Sequence, residues 1–354
     1  MRNLAHIETV HNIRPIEGAD RIEQVSVLGW NLIARKGEFQ EGDKAVYIEI
    51  DSLVPRENPA FAFLEPKRFK IKTMKMRGVV SQGIALPLSI LPAGEYAVGQ
   101  DVTEVLGIEK IPDETEESLA AGPSKKHGWL YRKLLRYAWF RALLRAAKKR
   151  GRRRPGYPDW VRKTDEPRIQ NIPHLLARKE PMTVTEKLDG SSLGVTLRGR
   201  DFFILSRNVI KGENGGSNFS RAAGQIHARA VLKALKKRFG ANYVTIQGEM
   251  IGEGIQGNKY GLKGLDFRAF NLIVDGQKLG SAEAAELLEP YGIQWAPILA
   301  VDYVLPDTVG ELMEYVTGPS ALADTPREGC VFRNAENTVS FKCVSEAFLL
   351  KWGL

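Results

Sequence analysis

The 354-residue chain has only two cysteines, Cys330 and Cys343, and no metal-ligand spacing surrounds them. Its five histidines also lack the paired spacing typical of metal ligands. No Gly-x-x-x-x-Gly-Lys-Ser/Thr phosphate loop occurs. These absences argue against a disulfide framework, a histidine-based site and an ordinary P-loop ATPase.

Long apolar runs are also absent. No stretch reaches the ~18–20 residues that span a bilayer, and the N-terminus has no hydrophobic signal core. Hydrophobic residues make up 43% and charged residues 26%, which is ordinary for a globular protein. With so few cysteines, we expect a reducing compartment and a cytoplasmic location.

The formal net charge of +9 comes from one stretch of the chain. Residues 125–154 hold 13 of the 51 Lys and Arg residues and no acid, whereas the remainder has 38 basic and 42 acidic residues. A helix is expected over residues 129–150. Basic residues follow at helical spacing along it and just beyond its end: Arg141, Arg145, Lys148 and Arg152. A nucleic-acid clamp, a membrane-surface helix and a solvated linker all fit it, and we favour the clamp.

The sequence divides into three expected parts. Residues 1–108 show short β-type runs (22–28, 30–34, 45–50 and 79–86) separated by glycine turns, which indicates a small closed barrel. Residues 109–160 form a connector with an acidic start and the basic helix. Residues 161–354 alternate strands with glycine-rich turns and include a helical stretch near 221–238. The expected fold class is α+β.

The most informative motif is Glu186-Lys187-Leu188-Asp189-Gly190, which follows a β-rich run. A lysine beside an acid at a tight bend suits a nucleophile that attacks a nucleotide α-phosphate and holds AMP as a phosphoramidate. An Asp-Gly pair also occurs in many ordinary surface turns. The motif alone therefore leaves both interpretations open.

Further motifs follow in a fixed order: Ser206-Arg207-Asn208, Gln247-Gly248-Glu249-Met250, Phe267-Arg268-Ala269-Phe270-Asn271, Arg327-Glu328-Gly329-Cys330-Val331-Phe332 and Ser340-Phe341-Lys342-Cys343. This order resembles the covalent nucleotidyltransferase superfamily of ligases and capping enzymes. Together with the run Lys163-Thr164-Asp165-Glu166-x-Arg168-Ile169-Gln170-Asn171, it resembles the Deinococcus-type nick-sealing RNA ligases. That resemblance implies an N-terminal OB-like β-barrel and a C-terminal nucleotidyltransferase (ATP-grasp-like ligase) domain of antiparallel sheets with flanking helices.

The resemblance also implies roles for individual residues. Lys187 would be the catalytic nucleophile, and a nearby cation such as Lys342 would help expose its neutral amine. The implied nucleotide-binding residues are Arg168, Glu186, Asp189, Gly190, Arg207, Glu249, Phe270, Glu328 and Lys342. Mg²⁺ or Mn²⁺ would be held by Asp189, Glu249 and Glu328, in part through water. Phe270 would stack on adenine, although a core aromatic is the alternative, and Glu249 or Glu328 could instead be a surface acid at a strand end.

The implied activity is ATP-dependent joining of RNA 3′-OH and 5′-phosphate ends at nicks in duplex RNA or RNA–DNA hybrids. It would proceed through a lysyl-AMP intermediate and an AMP-capped RNA end. Met76-Arg77-Gly78-Val79-Val80-Ser81-Gln82-Gly83 resembles tRNA-binding OB-folds, so Arg77 is expected to contact RNA, although these glycines could simply form barrel corners. We expect a monomer without an obligate protein partner or membrane contact.

Other functions stay open. A non-catalytic protein that binds structured RNA would use the same barrel and basic helix. A guanylyltransferase or DNA-nick ligase is disfavoured, because only 12 residues follow Lys342 and leave no room for the usual C-terminal OB domain. Many superfamily members carry a second lysine where this chain has Val344, so a phosphate contact may be missing or supplied by another group.

Overall fold

The structure is a computed structural model that describes residues 3–111, 157–213 and 216–353. As far as these residues define it, the chain forms two compact units. The first comprises Met1–Pro112, Asp165–Asp189 and Ala296–Leu354, and the second comprises Asp113–Thr164 and Gly190–Trp295. The three-part division expected from the sequence has other boundaries and stays a prediction.

The strands are, in chain order, β1 (Ala5–Pro15), β2 (Ile22–Val27), β3 (Trp30–Arg35), β4 (Lys44–Ile48), β5 (Ser52–Leu53), β6 (Lys70–Ile71), β7 (Met74–Met76), β8 (Val79–Ser81), β9 (Ile84–Pro87), β10 (Glu109–Lys110), β11 (Pro181–Lys187), β12 (Ser191–Arg198), β13 (Asp201–Leu205), β14 (Ile210–Lys211), β15 (Tyr243–Gly252), β16 (Leu265–Val274), β17 (Gln277–Lys278), β18 (Gln294–Trp295), β19 (Ile298–Val304), β20 (Gly329–Asn334) and β21 (Ser340–Val344). The α-helices are α1 (Asn218–Gln225), α2 (Ala228–Phe239), α3 (Ser281–Leu288), α4 (Val309–Val316) and α5 (Glu346–Trp352). Short 3₁₀ segments cover Pro59–Lys67, Leu88–Ile90, Ile169–Asn171, Pro173–Arg178 and Glu289–Tyr291.

The first unit begins with the OB-fold. Its main sheet has the antiparallel order β3-β2-β1-β4-β9. In β3, buried Trp30, Leu32 and Ala34 alternate with more exposed residues, as expected of a strand with one face on the core. The expected run 79–86 is two strands, because Gly83 turns the chain with φ +119° and a Cβ there would lie 2.6 Å from the Ile48 carbonyl oxygen.

The first unit also contains a four-stranded antiparallel sheet with the order β19-β11-β20-β21. Helix α4 packs Leu312 and Val316 into the core of this sheet. Phe332 of β20 and Phe341 of β21 stack in the same core, with ring centroids 5.0 Å apart. This packing holds the two strands that carry the C-terminal motifs.

The second unit is built on a sheet with the order β14-β13-β12-β15-β16-β17, and β18 adds to β16 in parallel. Helices α1, α2 and α3 bury apolar residues in its core, among them Val231, Leu232 and Leu235 of α2. The single helical stretch expected near 221–238 is two helices. The break occurs at His227, whose φ of +47° does not continue a right-handed helix.

The α+β fold class is confirmed: an OB-fold is followed by mainly antiparallel sheets with helices. Within the described ranges, no helix has the length and apolar character needed to cross a membrane. The expected basic helix with Arg141, Arg145, Lys148 and Arg152 lies outside the described residues.

Candidate active site

Strand pairing brings Lys187 and Glu328 together. Lys187 is the last residue of β11, and its Cα pairs with that of Gly329 at the start of β20. Glu328 therefore stands directly beside Lys187, and Lys187 Nζ donates a hydrogen bond of 2.5 Å to Glu328 Oε1. Gly329 is required at this position because a Cβ would lie 2.2 Å from the Cys343 carbonyl oxygen.

Glu328 is an acid in an unfavourable environment. Burial raises the pKa of its carboxyl, and the charge of Asp189 raises it further, while Lys187 and Lys342 oppose the shift. One carboxylate oxygen bonds Lys187. The other, Oε2, is buried and has no hydrogen-bond partner among the described residues. A buried carboxylate oxygen of this kind normally has a ligand.

A divalent cation fits the unsatisfied oxygen of Glu328. Mg²⁺ and similar ions take oxygen ligands and keep several waters, so one or two carboxylates suffice. Across the described part of the chain, no three His, Cys, Asp or Glu side chains cluster closely enough to form a complete protein-only metal site. The donors present thus suit a hydrated cation held by Glu328 and Asp189 better than a fully dehydrated one. The assignment of Asp189, Glu249 and Glu328 as metal ligands stays a prediction.

Lys342 joins the site from the adjacent strand. Its Cα pairs with Val331 of β20, and its backbone N donates to the Pro167 carbonyl oxygen at 2.8 Å. Its Nζ lies 3.3 Å from Asp165 Oδ1. Burial and the positive charge of Lys187 lower the pKa of Lys342 to about 8, while Asp165 opposes this. Lys342 is therefore a cation whose charge is lost as the pH rises through about 8.

Arg168 lies between the OB-fold and Lys342. It forms a parallel β-bridge with Lys342, and its Cζ lies 5.5 Å from the centroid of the Trp30 ring. Its Nη2 is 3.9 Å from Asp51 Oδ2. A guanidinium held by an aromatic face and a carboxylate is well suited to bind phosphate.

Asn171 connects the same segment to the OB-fold. Its Oδ1 accepts a 2.6 Å hydrogen bond from Trp30 Nε1, and its Nδ2 donates to Glu49 Oε1 at 2.7 Å. Asn171 belongs to the family-like run 163–171, but the sequence pattern indicates no role for it. Trp30 and Glu49 were missed altogether, because no local pattern shows that the barrel contacts a segment more than 120 residues away.

Both carboxylate oxygens of Glu186 accept hydrogen bonds from the protein itself. The side chain is buried, Oε1 accepts from Ser320 Oγ at 2.5 Å, and Oε2 accepts from the backbone N of Ala321 at 2.7 Å. Glu186 thus anchors the loop that precedes Glu328. Its expected nucleotide contact stays a prediction.

The other expected nucleotide-binding residues belong to the second unit. Gly190 passes so close to β15 that a Cβ would lie 2.3 Å from the Met250 carbonyl oxygen and 2.9 Å from Glu249 Cγ. Glu249 lies on β15 opposite Ser192 and Arg268. Arg207 follows β13. The structure therefore brings Gly190 and Glu249 together.

Phe270 is the extra residue of a β-bulge in β16. Asn271 pairs with Gln247 and Ala269 pairs with Gly248, so one additional residue lies between these pairs. Ala269 and Asn271 are buried, whereas Phe270 is half-buried. Bulges re-aim side chains beside functional sites. Its expected stacking on adenine and the alternative of a core aromatic both stay predictions.

Two further sequence expectations concern single positions. Arg77 is exposed at the turn between β7 and β8 with φ +50°, and its RNA contact stays a prediction. Val344, at the position of the second family lysine, is 3% exposed. A buried valine makes no phosphate contact, so any such contact must come from another residue.

Cys330 and Cys343 are buried free thiols, and burial raises the pKa of both.

Comparison with known proteins identifies the family of the chain. An OB-fold domain model matches residues 4–88, and the RNA ligase family model matches residues 180–352. No curated protein matches the chain. The solved structure of a Naegleria gruberi RNA ligase with PPi is 31% identical, with a TM-score of 0.83 and 99% coverage of each chain.

Two mutant structures of the same Naegleria RNA ligase are also similar. One, with AMP and Mn, is 30% identical with a TM-score of 0.83 and covers 99% of each chain. The other, with ATP and Mn, is 31% identical with a TM-score of 0.82 and covers 98% of each chain. The fold and the lysine–glutamate pair define a nucleotidyltransferase-type ligase with an N-terminal OB-fold. The chain belongs to the RNA ligase family, which confirms the family expected from the motifs.

Proposed function

We propose that this ligase uses ATP and a divalent cation to join RNA 3′-OH and 5′-phosphate ends, at nicks in duplex RNA or RNA–DNA hybrids. The observation that carries the proposal is the contact between Lys187 Nζ and Glu328 Oε1 beside Lys342. A primary amine, a buried carboxylate and a second cation are the groups that attack on a nucleotide α-phosphate requires. The Naegleria structures with ATP, AMP and Mn support the same cofactors here.

In the first step, Lys187 Nζ forms a bond to the α-phosphorus of ATP, and pyrophosphate leaves. The amine must be neutral to attack, yet the carboxylate of Glu328 favours its charged form. A divalent cation held by Glu328 would neutralise this carboxylate and polarise the phosphate. The positive charge of Lys342, which interacts with Lys187, favours the neutral amine as well. Lys342 and Arg168 would stabilise the charge that develops on the phosphate oxygens.

In the second step, an oxygen of the RNA 5′-phosphate attacks the phosphorus of the lysyl-AMP and the P–N bond breaks. In the third step, the RNA 3′-OH attacks the 5′-phosphate, the phosphodiester forms and AMP leaves. Throughout, Glu249, Arg207 and Phe270 are proposed to bind the nucleotide. Arg77 and the basic stretch around Arg141, Arg145, Lys148 and Arg152 are proposed to contact RNA. We further propose a monomer with the three-part domain division expected from the sequence.

The test is incubation with α-labelled ATP or GTP and Mg²⁺ or Mn²⁺, followed by a denaturing gel. We expect an ATP-dependent, acid-labile label that is absent in Lys187→Ala and present in Lys179→Ala, a control at an exposed lysine. Nicked RNA, RNA–DNA and DNA duplexes then identify the substrate. Labelling by GTP would indicate a capping-type enzyme. The absence of any label in folded wild-type protein would refute the mechanism and favour a non-catalytic RNA-binding protein.

A further inference from the structure

A second basic segment lies in the OB-fold. Residues 66–94 contain no acid, and five basic residues occur within nine positions ahead of Arg77. We call these five residues the basic strip: Lys67, Arg68, Lys70, Lys72 and Lys75. The charge balance of the whole chain points only to residues 125–154, because acids elsewhere in the barrel offset the charge of this strip.

The strip faces outward for a structural reason. It starts at the end of the 3₁₀ segment Pro59–Lys67, which buries Phe61 and Leu64 in the barrel core. On β6, Ile71 is buried in the same core, so its neighbours Lys70 and Lys72 point to the opposite face. Lys67, Arg68, Lys72 and Lys75 are exposed and Lys70 is half-buried.

The positive charge of the strip is not neutralised locally. Among the described residues, no acid lies within ion-pair distance of any of its five side chains. One acid that interacts with the strip over a longer range, through Lys75, is Glu346. Burial raises the pKa of its carboxyl, and Lys75 opposes this. Such a concentration of unpaired cations attracts polyanions and releases their counterions on binding.

An exposed aromatic residue borders the strip. Lys72 Nζ lies 3.4 Å from the Gly353 carbonyl oxygen, which places the C-terminal end of α5 against the strip. Trp352, the last residue of α5, is 38% exposed, and Lys351 Nζ lies 5.3 Å from its ring centroid. Cations next to an exposed aromatic ring are typical of surfaces that bind nucleic-acid strands.

Short contacts link the strip to the candidate active site. The backbone N of Asp51 donates to the Ile71 carbonyl oxygen at 2.9 Å, and Asp51 Oδ2 lies 3.9 Å from Arg168 Nη2. Arg168 in turn bridges to Lys342. The strand that carries Lys70 is thus connected to Arg168 and Lys342 through Ile71 and Asp51.

We propose that the basic strip and Trp352 bind the phosphodiester backbone of RNA that flanks the ends to be joined. The cations contact successive phosphates, and the Trp352 ring packs against a ribose or a base. This inference rests on the proposed function, since it concerns the same substrate. It adds a docking surface on the OB-fold that is independent of Arg77 and of residues 125–154.

The test compares two triple variants of the full chain. Lys67→Gln/Lys72→Gln/Lys75→Gln neutralises the strip. The matched control, Lys233→Gln/Lys237→Gln/Arg238→Gln, removes three exposed cations from α2 in another acid-free stretch. Binding of a labelled nicked RNA duplex is measured from 0.05 to 0.3 M salt, and covalent labelling by ATP is measured without RNA. Trp352→Ala is examined in the same assays.

We expect the strip variant to bind RNA about tenfold or more weakly at ~0.1 M salt. Its slope of log K against log salt should fall by about 2–3, with about 0.9 lost per phosphate contact. ATP labelling and the binding of the control should match wild type, and Trp352→Ala should weaken binding without changing the slope. If the slope of log K against log salt in the strip variant equals that of wild type, the proposal is overturned. The same holds if the strip variant binds RNA like wild type but loses binding to phosphatidylserine vesicles. Loss of the ATP label in wild type would instead refute the proposed function.

Discussion

Lys187 and Glu328 are 141 positions apart in the sequence, yet their side chains meet at 2.5 Å. The pairing of β11 with β20 produces this contact, since Lys187 lies opposite Gly329, the neighbour of Glu328. The proposed nucleophile is thereby held against an acid whose second oxygen is buried and has no hydrogen-bond partner among the described residues. The chemistry of the site depends on this pair, and the first prediction concerns it.

Glu328→Gln should lower the rate of covalent labelling by ATP about 100-fold or more, because the amide neither binds a divalent cation nor carries the compensating charge. Rates are measured by single-turnover labelling across Mg²⁺ concentrations. The control is Glu346→Gln. Burial likewise raises the pKa of the Glu346 carboxyl, but Glu346 is not in contact with Lys187. Wild-type labelling by Glu328→Gln would contradict the assigned role.

The second prediction concerns pH. Because the pKa of Lys342 is lowered to about 8, this cation is present below pH 8 and is lost as the pH rises through that value. The ATP concentration for half-maximal labelling should therefore increase above pH 8. Asp165 raises the pKa of Lys342, so Asp165→Asn should move this increase to lower pH.

The control for the pH experiment is Asp307→Asn. Asp307 also pairs with a lysine, at 2.7 Å from Lys179, but not with Lys342. Its profile should coincide with that of wild type. An Asp165→Asn profile that shifts to higher pH, or not at all, would show that Lys342 does not act as a cation toward ATP.

The third prediction concerns the contact between the OB-fold and the segment that carries Arg168. Asn171→Ala removes the hydrogen bonds from Trp30 and to Glu49. We expect a loss of about 1–3 kcal/mol in the free energy of unfolding, since partners in the interior lose their bonds. Labelling by ATP should also weaken, because Arg168 and Lys342 are held by the same segment. Urea unfolding and labelling are measured together.

Asn31→Ala is the matched control for Asn171→Ala. Asn31 is exposed, and its side-chain Oδ1 accepts longer bonds of 3.3 and 3.4 Å from Gln24 and Ser26. It should change the free energy of unfolding by less than about 0.5 kcal/mol. Equal effects of the two substitutions would mean that Asn171 has no special role.

The fourth prediction concerns Gly190. Gly190→Ala would place a methyl group 2.3 Å from the Met250 carbonyl oxygen and 2.9 Å from Glu249 Cγ. The strands must separate to admit it, which should cost about 1–3 kcal/mol and displace Glu249. The midpoint temperature of thermal unfolding and the rate of ATP labelling should both fall. Gly212→Ala, where a Cβ meets no atom within 4 Å, should behave as wild type, and a tolerated Gly190→Ala would refute the steric argument.

Part of the fold could be predicted from local patterns. The alternation of Trp30, Leu32 and Ala34 predicts β3, and the order of motifs from Lys187 to Lys342 indicates the ligase domain. The breaks at Gly83 and His227 were not foreseen, because a backbone angle of φ > 0 depends on which strand or helix lies beside it. The compact units likewise follow contacts between distant segments rather than motif boundaries.

The sequence by itself determined the chemical groups of the candidate site: the proposed nucleophile Lys187, the acids and the cation Lys342. Only the tertiary structure decided their contacts. It placed Glu328 beside Lys187, Asp165 beside Lys342 and Trp30 beside Asn171. It also directed the carboxylate of Glu186 to the loop that contains Ser320. The physical reason is that strand register and domain packing are chosen by burial over the whole chain, whereas a motif records only its immediate neighbours.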